Sequence, residues 1–132
     1  MKKLLAFLLA TAVFISVFAM AVQAVSARNS HTIQTGTGFT ISTDGKARVS
    51  LSYDAYDSMT SASIHVVIKK RTFLFFWDTI INHTFTSTEK HYTNTFIEYL
   101  TEKGTYKCEV EYVISGTGGE DDVIPFEDTA TY

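Results

Sequence analysis

The sequence predicts an all-β domain built from two stacked antiparallel sheets. From residue 37 onward apolar and polar side chains alternate with a period of two, which is typical of strands with one buried and one solvated face. Clusters of turn-forming residues interrupt this alternation about every ten residues, a spacing typical of sandwiches and barrels. Within residues 37–132 no segment has the periodicity of a helix. The pattern therefore predicts seven short strands.

The first residues have the layout of a secretory signal peptide. Two lysines precede an apolar run over residues 4–22, and small residues follow at the positions where a signal peptidase cuts. We therefore predict a secreted protein with a signal peptide over residues 1–24, cleaved there or after Ala27. The apolar run also has about the 20 residues that a membrane-spanning helix needs. The alternative is an uncleaved N-terminal segment that anchors the chain to the membrane.

The remaining chain has the size of one domain and is acidic. The 132 residues include 14 Asp and Glu against 11 Lys and Arg, and two of the lysines leave with the leader. General nucleic-acid binding requires positive charge, so this balance argues against a nucleic-acid partner. Cys108 is the only cysteine, so packing has to hold the domain together without an internal disulfide. We expect residues 25–36 to be a flexible lead and residues 37–132 to form the sandwich.

The first three strands each have one apolar face. The first strand carries Phe39 and Ile41, and the "TDGK" after it contains the Asp-Gly pair that tight hairpin turns favour. In the second strand the predicted buried residues are Val49, Leu51, Tyr53 and Ala55. In the third strand they are Ala62, Ile64, Val66 and Ile68.

The third and fourth strands form a second hairpin, and its register follows from the apolar residues that have to share one face. The predicted pairs are Ile64 with Phe85, Val66 with His83, Ile68 with Ile81, Arg71 with Asp78 and Thr72 with Trp77. This register turns His83 toward the core. A shift by one residue would bury Asn82 instead, and we adopt the first register.

Three more strands complete the domain. The fifth covers residues 91–99, and the sixth has the cleanest alternation in the chain. Its predicted inner face consists of Tyr106, Cys108, Val110, Tyr112 and Ile114. The composition of "SGTGGEDD", residues 115–122, predicts a loop. The last strand contains Pro125, which lacks a backbone donor and therefore places this strand at a sheet edge.

The "KGTYKCEV" of the sixth strand and the order of the seven strands resemble immunoglobulin and fibronectin type III domains. In those families a Tyr two residues before a Cys closes a corner of the fold through its hydroxyl, and Tyr106 and Cys108 have this spacing. The second strand has no partner Cys and the third has no Trp, so the resemblance implies the architecture and not antibody-like recognition. Together with "STDGKARVSLS" the pattern is also similar to short secreted bacterial β-sandwich proteins, which implies location and fold only.

The sequence contains no pattern that predicts an enzyme or a cofactor. There is no G-x-S-x-G motif, and the four histidines lie outside any catalytic motif. Cys108 is expected to be a buried, inert thiol. The glycines of residues 116–119 lack the following helix of a phosphate-binding loop. Three consecutive carboxylates, Glu120, Asp121 and Asp122, are more typical of a solvated loop than of a calcium site, which stays the alternative.

The segment "KKRTFLFFW", residues 69–77, places large apolar side chains where the second hairpin has its turn. Turns usually carry Gly, Asn, Asp or Pro, so these side chains need another explanation. If exposed, they form a patch of the size of a binding site, and the neighbouring cations suit an anionic membrane surface or a partner groove. The alternative is burial within the domain. The candidate binding residues are Lys70, Arg71, Phe73, Leu74, Phe75, Phe76 and Trp77.

These observations together predict a secreted, non-enzymatic protein with a binding or structural role at the cell exterior. The sequence does not name the partner, and it leaves open another protein, a second copy of the chain and, through the hairpin tip, a membrane surface. The alternative is a membrane-active or toxin-like effector that uses the apolar hairpin tip.

Overall fold

The computed structural model describes residues 29–132, which form seven strands. The strands are β1 (Thr32–Ile41), β2 (Lys46–Ala55), β3 (Met59–Phe73), β4 (Phe76–Ser87), β5 (His91–Tyr99), β6 (Thr105–Gly116) and β7 (Asp122–Thr131). The predicted signal peptide lies outside the described residues. Within residues 29–132 no helix could span a membrane.

The strands form two antiparallel sheets that stack face to face. One sheet has the order β1-β2-β5, and the other has the order β4-β3-β6-β7. Along one side of the sandwich β1 and β7 run next to each other. On the other side the rings of His83 and Phe85, from β4, contact Phe96 of β5. The all-β prediction is therefore confirmed for the described residues.

The core consists of the inner faces that the alternation predicts. The predicted inner residues of β2, β3 and β6 are all buried, and Tyr53, Tyr106 and Tyr112 are the largest among them. Fully burying a side chain of this size stabilises the fold by roughly 1.5–3 kcal/mol. The inner side chains of β7 are half-buried against the same core. Because β7 is the last strand of its sheet, the prediction of an edge strand around Pro125 is confirmed.

The turn between β1 and β2 is the predicted Asp-Gly turn. Gly45 has a φ of 83°, and its N–H donates to the carbonyl of Ser42 at 3.0 Å. A Cβ at this position would lie 2.7 Å from the carbonyl oxygen of Leu100. Both the left-handed backbone and the close approach therefore require glycine.

The predicted flexible lead is too long, because β1 begins at Thr32. Residues 32–36 pair with the end of β2, although their side chains are mostly small or polar. The reason is a long-range anchor. Asp122 accepts hydrogen bonds from the backbone N–H groups of Ser30, His31 and Thr32 at 2.6, 2.8 and 2.7 Å, which holds the start of β1 against β7.

The predicted register of the β3–β4 hairpin is correct in its inner part and wrong toward its turn. Three predicted pairs are present, Ile64 with Phe85, Val66 with His83 and Ile68 with Ile81. Beyond Ile68 the register shifts by one residue, so Lys70 pairs with Asp78 and Arg71 with Trp77. Ile80 is the extra residue of this bulge, and its side chain is exposed. His83 faces inward at the open side of the sandwich, where its ring stacks on Phe96.

The loop between β5 and β6 contains the corner that the spacing of Tyr106 and Cys108 suggests. The Tyr106 hydroxyl donates to the carbonyl oxygen of Glu102 at 2.5 Å. Cys108 lies two residues further along β6 and is fully buried. Burial raises the pKa of the Cys108 thiol to about 12, so the group stays protonated and unreactive at neutral pH.

Candidate functional site

The β3–β4 hairpin projects beyond the sheet to which it belongs. The pairing of β3 with β6 ends at Lys70 and Tyr106. The pairing of β3 with β4 continues to Phe73 and Phe76. Past Lys70 the hairpin is therefore a two-stranded ribbon without a third strand to support it, and its end points away from the body of the domain.

The end of this ribbon is apolar and uncovered by the rest of the described chain. We call its four residues, Phe73, Leu74, Phe75 and Phe76, the aromatic tip; their side chains are 65, 63, 86 and 66% exposed. A soluble domain gains free energy by burying such side chains. Residues 29–132 leave them in water, so burial within this part of the domain does not explain them.

The turn of the hairpin is conformationally strained. Leu74 has a φ of 36°, and it is the single non-glycine residue with positive φ in residues 29–132. This left-handed conformation costs an L-residue roughly 1–2 kcal/mol relative to its ordinary backbone conformation. Glycine would avoid that cost, as it does at Gly45 in the β1–β2 turn. The chain keeps an exposed apolar side chain at the position where glycine is the easier choice, and strain of this kind is frequent at functional sites.

Trp77 lies directly behind the tip and is held by two cations. The Arg71 guanidinium carbon lies 4.9 Å from the centre of the Trp77 ring, and the Lys107 ammonium nitrogen lies 5.1 Å from it. These distances are within the range of cation–π attraction. The one-residue bulge at Ile80 is what brings Trp77 opposite Arg71. Without the bulge Trp77 would pair with Thr72, as the simple register predicts.

Further cations surround the base of the ribbon. Lys70 forms an ion pair with Glu102, and the Lys103 nitrogen lies 5.7 Å from the centre of the Tyr132 ring. We call Lys70, Arg71, Lys103 and Lys107 the cationic shoulder. Tyr99, the last residue of β5, is at the same end of the domain and is 65% exposed.

Acidic neighbours favour the charged forms of Lys70 and Lys107. The hydrogen bond with Glu102 raises the pKa of Lys70. The hydrogen bond with Glu109 raises the pKa of Lys107, against a smaller opposing effect of burial. Arg71 is in none of the salt bridges formed among residues 29–132. Its charge is therefore shared only with the Trp77 ring.

The structure brings all the predicted binding residues to one end of the sandwich, although they do not form one flat patch. The aromatic tip is outermost. Trp77 is half-buried and lies on the side of the ribbon rather than at its end. Lys70 and Arg71 are behind the tip. The site is thus layered, with apolar side chains first, an amphipathic ring next and cations last.

A cluster that the sequence did not predict lies at the opposite end of the domain. His31 is completely buried, and its Nδ1 lies 2.9 Å from the Ser58 hydroxyl oxygen. A Ser-His-Asp triad would need the carboxylate on the other ring nitrogen. Asp122 instead binds the backbone of residues 30–32, and Nε2 of His31 has no partner among residues 29–132. This arrangement anchors the chain and is not built for acyl transfer.

The three acidic residues Glu120, Asp121 and Asp122 lie in different environments. Burial alone would raise the pKa of Asp122, but hydrogen bonds from residues 30–32 outweigh it, so the pKa is lowered. Both of its oxygens are occupied by these hydrogen bonds. Its neighbours Glu120 and Asp121 are exposed to solvent. Within residues 29–132 no three His, Cys, Asp or Glu side chains are placed to hold a metal ion.

A depression on the outer face of β3, β6 and β7 has a volume of about 550 Å³. It is shallow, and Val67 and Pro125 give it an apolar floor. The carboxylates of Glu109, Glu111 and Glu127 line it. Lys69 and Lys107 form ion pairs with Glu109 at 2.6 and 3.0 Å, so these charges largely neutralise each other.

No protein-family model matches the chain, and no curated protein is significantly similar to it. The interpretation of the site therefore rests on its own geometry.

Proposed function

We propose that the protein is secreted and non-enzymatic, and that it binds a partner at the cell exterior through the aromatic tip. The observation that carries this proposal is the tip itself, four exposed apolar side chains on a ribbon whose turn is strained to keep Leu74 in place. Exposed apolar patches of this kind usually mark interaction sites.

We also propose that the scaffold is an immunoglobulin- or fibronectin III-like sandwich. The order of its strands supports this. Constant-type domains place the first, second and fifth strands in one sheet and the third, sixth and seventh in the other, which is the division found here. The fourth strand differs, because it lies beside β3. The Tyr106 corner is the second support. Folds of this class carry binding residues on their loops and hairpins.

The aromatic tip and the start of the described chain lie at opposite ends of the sandwich. Ser30 lies at the end of the sandwich where β3 begins, and the tip lies where β3 ends. β3 has 15 residues, which corresponds to roughly 45 Å at about 3.3 Å per residue. The tip therefore lies at the end of the described domain opposite to Ser30.

The size of the tip is sufficient for measurable affinity. Burying one large apolar side chain contributes roughly 1.5–3 kcal/mol. Four such side chains together contribute roughly 6–12 kcal/mol, against association costs of about 4–15 kcal/mol. The tip alone therefore supports weak to moderate binding, and other contacts have to add the rest.

Site-specific photo-crosslinking tests the proposal. A photo-reactive residue would replace Phe75 in one form of the exported protein and Tyr56 in the other. Tyr56 is a matched control because it is an exposed aromatic residue at the opposite end of the domain, 49% exposed. We expect adducts on the producing cells at position 75 and few at position 56. Equal yields at the two positions, with protein and lipid adducts counted together, would contradict the proposal.

A membrane-active or toxin-like effector is the second candidate. The observation in its favour is that the tip is convex and has cations behind it. Release of a dye from vesicles tests it. An effector of this kind should empty vesicles, whereas a protein that only binds should leave them intact.

A further inference from the structure

We infer that the partner of the aromatic tip is the surface of an anionic lipid bilayer, into which the tip inserts shallowly while the cationic shoulder contacts the headgroups. This inference rests on the proposed function, because it names the partner of the same surface.

The shape of the site favours a bilayer. The ribbon past Lys70 is convex and narrow, so a protein partner would need a deep, matching pocket. The 550 Å³ depression of this chain does not offer one to a second copy, because it is shallow and lined by Glu109, Glu111 and Glu127. Lipid chains rearrange around an inserted side chain, so a bilayer needs no such match in shape.

The layers of the site follow the polarity of a bilayer surface. The aromatic tip would enter the acyl region. Trp77 lies behind it, and Trp and Tyr residues are enriched at the depth of the headgroups. Arg71 and Lys107 lie against the Trp77 ring. Lys107 already pairs with Glu109 and Glu127, so Arg71 is the one of the two that is placed to contact phosphate groups. Long cationic side chains commonly extend toward the interface in this way.

The length of the ribbon limits how deep the tip can go. The shared sheet ends at Lys70 and the last pair is Phe73 with Phe76, so the ribbon advances by about three residues, or roughly 10 Å. The hydrocarbon core of a bilayer is about 30 Å thick. One tip therefore reaches only the outer part of one leaflet, which fits peripheral attachment and does not fit perforation by a single molecule.

The charge distribution favours an orientation in which the cationic shoulder faces the anionic bilayer. The whole chain has a net charge of −3, so anionic lipid does not attract the chain as a whole. Glu102, Glu109 and Glu127 pair with lysines near the shoulder, and Asp78 lies opposite Lys70. Their presence reduces the electrostatic attraction. Insertion of the tip should therefore contribute more to binding than the cations do.

Co-sedimentation with vesicles tests this inference. Protein collected from the medium after export would be mixed with vesicles of phosphatidylcholine alone or of phosphatidylcholine with phosphatidylglycerol. The variants are Phe75→Ser, Arg71→Gln and the control Tyr56→Ser. Serine is used at position 75 because a carboxylate there would be repelled by anionic lipid for a trivial reason. Circular dichroism checks that each variant keeps its β-sheet spectrum.

We expect wild type to bind the anionic vesicles more strongly than the neutral ones. Phe75→Ser should bind both about ten- to a hundredfold more weakly. Arg71→Gln should lose about fivefold on anionic vesicles only. Tyr56→Ser should match wild type.

Two results would overturn the inference: no binding to either kind of vesicle, or equal binding of wild type and Phe75→Ser. The crosslinking experiment separates this failure from a failure of the proposed function. Protein adducts at Phe75 without vesicle binding would remove the lipid partner and keep the tip as a binding site. Equal adducts at Phe75 and Tyr56 together with no vesicle binding would remove both.

Discussion

The strained turn gives the sharpest mutational prediction, because stability and binding should change in opposite directions. Leu74 has a φ of 36°, which costs a residue with a Cβ roughly 1–2 kcal/mol. Glycine removes this cost but loses about 0.5–1 kcal/mol through the greater freedom of the unfolded chain. The free energy of unfolding of Leu74→Gly should therefore equal that of wild type or exceed it by up to about 1.5 kcal/mol.

Alanine at the same position is the matched control. Leu74→Ala keeps the strain and loses the same apolar surface as Leu74→Gly. The glycine variant should therefore be more stable than the alanine variant by up to about 1.5 kcal/mol in urea unfolding followed by circular dichroism. Both variants should bind anionic vesicles more weakly than wild type, since the Leu74 side chain is 63% exposed and available for insertion.

Two outcomes would refute the reasoning. If Leu74→Ala is more stable than Leu74→Gly by about 0.5–1 kcal/mol, the turn is not strained in solution. If Leu74→Gly binds as tightly as wild type, Leu74 makes no contact with the partner and its strain has another cause.

Two further predictions concern the scaffold. Asp122→Asn should lower the free energy of unfolding by about 2–3 kcal/mol at neutral pH, because an amide cannot accept the three hydrogen bonds of the carboxylate; Asp121→Asn, at an exposed neighbour, should have no effect. Since the pKa of Asp122 is lowered in the fold from its ordinary 3.8, its contribution should be complete above about pH 4 and be lost as the pH falls through the folded value. Asp122→Asn should lack that part of the acid dependence, and an unchanged acid transition would argue against the anchor. Cys108, whose pKa is raised to about 12 by burial, should resist a thiol reagent at pH 8 until urea unfolds the chain, and rapid labelling of the folded protein would contradict its burial.

Local pattern was enough to predict which side chains form the core. The alternation around Leu51, Ile64 and Val110 depends only on the two-residue period of a strand, and all three are buried. The Gly45 turn was predictable for the same reason, since its conformation is set by two adjacent residues.

Features that depend on distant parts of the chain were not predictable. The bulge at Ile80 changes the cross-strand partners of Lys70 and Arg71. No local sequence pattern predicts this bulge. The lead was predicted to be flexible because its residues are polar, but Asp122, some 90 residues away, fixes it. A buried carboxylate that accepts backbone hydrogen bonds has the same sequence signature as a solvated acidic loop.

The candidate site was predictable in its residues and not in its exposure. The apolar run at residues 73–76 is evident in the sequence. Whether it is buried depends on where β6 begins, because a longer β6 would support the ribbon and give it neighbours. β6 begins at Thr105 and pairs with β3 only as far as Lys70, so the tip is left in solvent.

The depth of Trp77 in a bilayer tests the central claim most directly. Trp77 is the only tryptophan of the chain and lies directly behind the aromatic tip, so its emission reports on this site alone. On addition of anionic vesicles the emission should shift to shorter wavelength, and lipids brominated near the headgroup end of the acyl chain should quench it more than lipids brominated near the chain terminus. An unchanged spectrum at saturating anionic lipid would contradict docking through the tip.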